Sequence, residues 1–296
     1  MTATRRKRGA SQWAVAFRRF RRNKSALIGS AIVSFFVLVA ILGPFVAPYP
    51  PRSYLPLYQG AAGTPPSLQH PFGFEDSGID VFSETIQGTR NDLYVGLAAT
   101  LITVLIGVAV GAVAGYFKGL VSDVLLGVTQ VFFVIPVLLL ILLFARVFSV
   151  LVFKGLGLTL IVLILSFFGW SQIAFVVRGE TLRLKEMEFV QSARSLGAGA
   201  SRLIFRHIVP NVLSPVIVLA TLDIAGFILT EVVVSFLGFG DPNTSTWGLI
   251  IDEGLPFVRT SWWVAVFPGL AVVFCVLGFN LMGDGLSDAL NPRLRE

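Results

Sequence analysis

Cysteine and histidine are nearly absent from the 296-residue sequence, which has only Cys275, His70 and His207. A single cysteine inside an apolar run excludes an intramolecular disulfide framework and a site made of several thiolates. The two histidines are far apart in the chain and have no cluster of acidic or thiol ligands near them. A metal site is therefore not expected on this chain.

Charged residues are also scarce, since they make up 14% of the sequence, whereas 55% is hydrophobic and the mean hydropathy is +0.80. A soluble domain of this length needs far less apolar surface for its core. The composition therefore predicts an all-α integral membrane protein, in which apolar helices cross the bilayer.

Six stretches are apolar enough and long enough to cross a bilayer, which takes about 20 residues as a helix. The first is too long for a cleaved signal peptide and lacks a small-residue cleavage pattern, so it is expected to remain as an anchor. The expected spans are Ala26–Ala47, Leu93–Phe117, Val124–Ala145, Gly155–Val177, Val212–Leu237 and Trp262–Gly283.

The spans divide the chain into five parts. These are a basic N-terminus (1–25), a first transmembrane helix (26–47), an extracytoplasmic segment (48–92), a five-helix core (93–286) and a tail (287–296).

Lysine and arginine are distributed unevenly between the two sets of flanks. Most of the 23 lie before Ser25, between Arg178 and Arg206, or in the tail. Because positively charged loops stay in the cytoplasm, this bias predicts a multi-pass protein of the cytoplasmic membrane with both termini cytoplasmic. The net charge of +6 is then a consequence of topology, and no nucleic-acid partner is expected.

The basic N-terminus also has an amphipathic pattern. Trp13, Phe17 and Phe20 recur at helical spacing among arginines. This arrangement predicts a helix that lies along the membrane lipid of the inner leaflet.

One long cytoplasmic loop, residues 178–211, has helix-forming residues rather than the composition of a simple connector. The spacing of its apolar residues predicts a short amphipathic helix that ends at a glycine turn at Gly197. A second helix is expected to begin with Ser201 as its cap and to stop at Pro210, where the chain turns sharply into the next span. The apolar face of so small a structure predicts a partner protein that covers it.

The order of motifs along nearly the whole chain resembles the second permease subunit of ABC importers of the dipeptide, oligopeptide and nickel group. In the loop, Gln191-Ser192-Ala193, Gly197 and Val209-Pro210 stand where such permeases have Glu-Ala-Ala, a glycine and Leu-Pro. The other matching segments are RRFRRNKSALIG (18–29), APYPP (47–51), HPFG (70–73), SFLGFG (235–240), FPG (267–269) and FNLMGDGLSDALNPRLR (279–295).

The resemblance implies a type I ABC importer permease fold with six transmembrane helices and a coupling helix that docks on an ATPase. It also implies a heterodimer with a second permease chain, two ATPase subunits and an extracytoplasmic substrate-binding protein. The sequence has no G-x-x-x-x-G-K-[ST] phosphate loop, so ATP and Mg are expected on the partner subunits, with no cofactor and no enzymatic activity on this chain. The expected coupling residues are Glu188, Phe189, Val190, Gln191, Ala193, Arg194, Leu196 and Gly197.

Two acidic residues, Asp223 and Glu231, lie inside the fifth apolar stretch, where a charge is costly. They are expected on nearly one helix face, as part of a translocation path or of the contact with the second permease. A hydrogen-bonded pair between helices is the alternative. Pro136 and Pro268 are candidate hinges within spans.

The tryptophans at the expected outer interface, Trp247, Trp262 and Trp263, indicate an aromatic belt at the membrane surface.

Di- or oligopeptides are the expected solutes, with oligosaccharides or nickel as alternatives. The chain departs from the family pattern at Gly127, Gln130 and Ile79, and this keeps the alternatives open. Two other functions remain: an ion-driven secondary transporter that uses Asp223 and Glu231, and a membrane scaffold without transport.

Overall fold

The computed structural model describes residues 12–50, 62–147 and 157–290. The first part of the basic N-terminus (1–11), residues 51–61 of the extracytoplasmic segment and the end of the tail (291–296) lie outside the described residues, as does the side chain of Trp13. The helices of at least eight residues in the described part are α1 (Gln12–Phe20), α2 (Lys24–Val46), α3 (Val81–Tyr116), α4 (Leu120–Val134), α5 (Val137–Val147), α6 (Gly157–Leu184), α7 (Glu188–Ser195), α8 (Val209–Phe236), α9 (Trp247–Gly254) and α10 (Trp263–Leu290).

This architecture confirms the all-α prediction, since the described ranges contain no strand and only one isolated bridge, between Phe74 and Asp80. Five helices are long and apolar enough to cross a membrane, and the α4–α5 pair makes a sixth when it is taken as one broken span. The number and type of spans therefore agree with an integral membrane protein of up to six crossings.

The third predicted span, Val124–Ala145, is not a continuous helix. α4 ends at Val134, α5 begins at Val137, and their axes differ by 75°. Pro136 explains the break, because proline has no N–H to donate and forces the residue before it away from the helical region. Ile135 has the expected extended backbone, with ψ of 125°. At Pro268, by contrast, α10 continues through the proline.

α3 is much longer than its predicted span and begins at Val81 instead of Leu93. Its first turns are polar, so hydropathy alone placed the boundary too late. Asp80 caps the helix, because its Oδ2 accepts hydrogen bonds from Ser83 N at 2.8 Å and from Ser83 Oγ at 2.7 Å. The loop after α8 contains another short helix, α9, capped by Thr246.

A stripe of glycines joins α3 to α6 along the centre of the molecule. Gly107, Gly111 and Gly115 recur every four residues on α3 and face Ile173, Val177 and Thr181 of α6. A Cβ added at Gly111 would lie 2.5 Å from the carbonyl oxygen of Ala174. Small residues of this kind let two membrane helices approach closely. Because the hydrophobic effect does not drive helices together within lipid, van der Waals packing at such close contacts stabilises the pair.

The aromatic-belt prediction is wrong for Trp247. This side chain is fully buried, donates from Nε1 to Thr85 O at 3.0 Å and meets Phe36 edge-on. Trp263 is also buried and donates to Phe74 O, whereas Trp262 is about half exposed. Trp247 serves as a core residue because its polar N–H finds a carbonyl inside the protein.

The described part of the N-terminus forms α1, which contacts α10. Ala16 is buried, whereas Phe17 is exposed with the Arg21 guanidinium 5.9 Å from its ring centre. Asn23, the cap of α2, donates from Nδ2 to Asp288 Oδ2 at 3.0 Å and so ties α2 to α10.

Candidate functional site

The predicted amphipathic helix of the loop is present as α7, Glu188–Ser195. Gly197, with φ of 84°, ends it as expected. Gly197 N donates to Arg194 O at 2.9 Å and Ala198 N donates to Ala193 O at 3.1 Å, which is the Schellman arrangement. A glycine is required because other residues rarely adopt positive φ.

The second helix of the loop differs from the prediction. A helical turn begins at Ala200 after Gly199, not after a Ser201 cap, and it passes through a π-helical segment, Leu203–Ile208, straight into α8. There is no sharp turn at Pro210. The wider π register accommodates the proline, whose missing N–H and bulky ring do not fit the α-helical spacing.

The apolar residues of the loop point in two directions. Val190 is fully buried, whereas Phe189 is 43% exposed and Leu196 is 89% exposed. Phe205, on the neighbouring π-helical segment that α7 contacts, is 71% exposed. We call Phe189, Leu196 and Phe205 the docking face. Val190 anchors α7 to its own chain, and the docking face is left for something else to cover.

Polar contacts fix α7 to the ends of α3 and α6. Gln191 Nε2 donates to Lys185 O at 3.0 Å, and Lys185 Nζ donates to Gly115 O at 2.8 Å, near the end of α3. The Arg194 guanidinium lies 5.8 Å from the ring centre of Tyr116. Burial and the nearby Lys118 charge lower the pKa of the Lys185 ammonium. These contacts attach α7 to the ends of α3 and α6.

An open cavity of about 480 Å³ lies between the spans. The bend between α4 and α5 forms one side, and α6 and α8 form the others. Its walls are mainly aromatic and aliphatic, and its polar side chains are Ser171, Gln172, Asp223 and Thr230.

The structure does not bring Asp223 and Glu231 together. Asp223 lines the cavity, whereas Glu231 is fully buried on another side of α8, where its Oε1 accepts from Ser235 Oγ at 2.6 Å. Eight residues advance an α-helix by about 80° beyond whole turns, which is enough to separate two side chains in a packed bundle. Glu231 therefore lies between helices, and only Asp223 faces open space.

The residue that Glu231 does approach is Asp92, on α3. Asp92 is also fully buried, and its Oδ2 accepts from Trp247 N at 3.0 Å, at the start of α9. The hydropathy pattern puts Asp92 at the end of the extracytoplasmic segment, where no functional role was expected for it. Asp92 directly precedes a long apolar stretch, and this position could have indicated that its carboxylate is buried.

The sequence matches a family described as binding-protein-dependent transport system inner membrane component, over residues 107–296. Residues 11–68 match the N-terminal TM domain of oligopeptide transport permease C. The chain belongs to this family of inner-membrane transport components. It is accordingly a multi-pass permease subunit of an ABC importer rather than an enzyme, and such permeases work with ATPase subunits.

Named permeases from several bacteria are similar over almost their full length. The chain is 36% identical to the oligopeptide transport system permease protein OppC of Bacillus subtilis, covering 98% of this chain and 92% of that protein. It is 36% identical to the dipeptide transport system permease protein DppC of the same organism, covering 95% and 85%. Identity to the glutathione transport system permease protein GsiD of Pectobacterium atrosepticum is 34%, covering 96% and 92%. The resemblance noted in the motifs is confirmed.

Proposed function

We propose that this permease carries di- or oligopeptides inward, as one half of a heterodimer with a second permease chain. Two ATPase subunits drive it and an extracytoplasmic binding protein delivers the solute. The names of the similar permeases, for oligopeptide, dipeptide and glutathione transport, favour peptides over oligosaccharides or nickel. The lysine and arginine distribution supports cytoplasmic termini, and with this orientation α7 would lie on the ATPase side.

The docking face carries this proposal. Phe189 and Leu196 would enter a groove of an ATPase subunit, while Val190 holds α7 to the permease. ATP and Mg would bind to the ATPase subunits, and closure of those subunits would draw the two docking helices of the heterodimer together. The contacts from α7 to α3 and α6 would then open the cavity outward, and hydrolysis would return it to the inward state.

Adding charge to the docking face is expected to separate the permease from its ATPase. In the double variant Phe189→Asp/Leu196→Asp, two carboxylates replace apolar side chains whose burial contributes about 1.5–3 kcal/mol each. We expect at least a 100-fold loss of ATPase association, measured by co-purification and by uptake into proteoliposomes.

The matched control is Leu120→Asp. Leu120 is an exposed apolar residue at the start of α4, outside the loop. It should retain association. Full ATPase binding by the double variant would contradict the docking proposal.

The ion-driven alternative predicts a different role for Glu231, as a proton or cation carrier that needs its charge. In the importer, Glu231 serves to accept the hydrogen bond from Ser235 Oγ. A glutamine oxygen accepts the same bond, so Glu231→Gln should keep uptake within about twofold of the original, whereas Glu231→Leu loses the acceptor and about 1–3 kcal/mol. Loss of uptake in Glu231→Gln, with normal assembly, would instead show that transport needs the charge of this carboxylate.

A further inference from the structure

We propose that the Asp223 carboxylate binds a positively charged ammonium group of the solute as the solute passes through the membrane cavity. This inference rests on the importer function proposed above and names the chemistry of its solute. Asp223 lies near the middle of the 28-residue helix α8 and lines the cavity of about 480 Å³. That volume falls within the range of small-molecule sites, about 300–1,000 Å³.

Asp223 differs from Asp92 and Glu231, the two fully buried carboxylates of the bundle, in having no partner of its own. Asp92 accepts a hydrogen bond from a backbone N–H, and Glu231 accepts one from Ser235. Among the residues that the structure describes, none donates a hydrogen bond to Asp223 or forms an ion pair with it. No Lys, Arg or His lines the cavity either. A carboxylate in the middle of a membrane span is energetically costly, and the binding of a positively charged group offsets that cost.

The space beside Asp223 is open to a ligand. Gly226 is one helical turn further along α8, and a Cβ placed there would meet no atom within 4 Å. The Thr230 hydroxyl, one more turn along, donates to Gly226 O at 2.8 Å, so its proton is already used. This leaves Asp223 as the charged group at an unobstructed face of α8.

The other walls of the cavity suit an organic cation. Four aromatic rings line it, and the faces of such rings attract ammonium groups. Gln172 and Ser171 add polar atoms on α6 that can pair with amide groups. The four aromatic residues are Phe132, Phe133, Phe168 and Phe227.

A metal ion or a neutral sugar fits this site less well. The described residues include no group of three His, Cys, Asp or Glu side chains that could hold a metal ion. A neutral oligosaccharide would leave the carboxylate without a counter-charge. A peptide amino terminus, or another primary ammonium, matches both the single negative charge and the apolar surroundings.

The test is uptake of trialanine, which has one ammonium group, into proteoliposomes that contain the complete importer with its binding protein. Asp223→Asn keeps the size of the side chain and removes the charge, so uptake should fall about tenfold or more. Asp223→Glu should recover most of the uptake. Asp123→Asn, an exposed acidic residue on α4 that does not line the cavity, is the matched control and should transport normally.

Two further readouts separate this inference from the importer function itself. In Asp223→Asn, the ATP hydrolysis stimulated by the loaded binding protein and the co-purification of the second permease should both be unchanged. If the unaltered importer itself shows no such stimulation or no such co-purification, the proposed function is refuted. Unchanged trialanine uptake by Asp223→Asn would overturn the ammonium site. Loss of the second permease from Asp223→Asn would also overturn it, because Asp223 would then pair with a basic residue of that chain.

Access to the site can be tested separately with a thiol. Cys275 is fully buried, so Asp223→Cys would be the only accessible thiol among the described residues of this chain. A membrane-impermeant cationic methanethiosulfonate reagent should label it in the assembled importer, with the Cys275-only protein as the control. Absence of labelling in every nucleotide state would overturn the proposal, since solute could not reach Asp223.

Discussion

Replacing Gly111 by leucine is expected to prevent the permease from folding. Even a Cβ at this position would lie 2.5 Å from Ala174 O and 2.8 Å from Val177 Cβ, so α3 and α6 would have to separate along the whole glycine stripe. Inserting bulk into a packed core costs about 1–3 kcal/mol, and more where backbone is in the way. We expect the amount of monodisperse protein in detergent, measured by fluorescence-detected size exclusion, to fall below about a tenth of the original.

Gly179→Leu is the matched control for that variant. Gly179 lies on α6, close to the same interface, but a Cβ there would meet no atom within 4 Å. Its protein level should remain normal, because helix propensity favours leucine over glycine by nearly 1 kcal/mol. Normal folding of Gly111→Leu would show that the two helices do not pack through this stripe.

The second large effect is expected at Gly197, where a side chain changes conformation rather than packing. A Cβ at Gly197 would meet no atom within 4 Å, so size is not the obstacle. The obstacle is φ of 84°, which costs an L-residue about 1–2 kcal/mol and a β-branched residue more. In Gly197→Val the end of α7 would change direction, Leu196 would move out of the docking face, and uptake should fall at least tenfold.

Gly199→Val separates this effect from the simple addition of a side chain to the loop. Gly199 is also free of neighbours within 4 Å, but its φ is −69°, which any residue adopts. Its uptake and its ATPase stimulation by loaded binding protein should equal those of the original permease. Equal losses of uptake in Gly197→Val and Gly199→Val would show that the positive φ of the Gly197 turn is not required for transport.

Helical spacing and hydropathy predicted the features that depend on local sequence. Uninterrupted apolar stretches located the spans, since lipid requires them. The spacing of Phe189, Ala193 and Leu196 predicted α7, and Gly197 predicted its end. These features depend on neighbours within a few residues in the chain, which is why they could be derived without a structure.

Features that depend on distant contacts were missed. The polar first turns of α3 are stable because the loop before them and α9 bury them, and hydropathy does not register such burial. Trp247 was assigned to the interface because its carbonyl partner, Thr85 O, is far away in the sequence. Asp92 and Lys185 were overlooked for the same reason, whereas Asp223 and Glu231 were expected on one face and are separated by the packing of α8.

An uninterrupted helical path runs from Ala200 through the π-helical segment into α8 and ends at Phe236. At about 1.5 Å per residue, its 37 residues extend roughly 55 Å, with the docking face beside one end and the Glu231–Asp92–Trp247 contacts near the other. A tilt of about 10° around its middle would shift each end by roughly 5 Å in opposite directions. The close packing of α3 on α6 through the glycine stripe would give such a tilt a rigid support, and a displacement of α7 would then reach the Glu231 end of the path without a change within the helix.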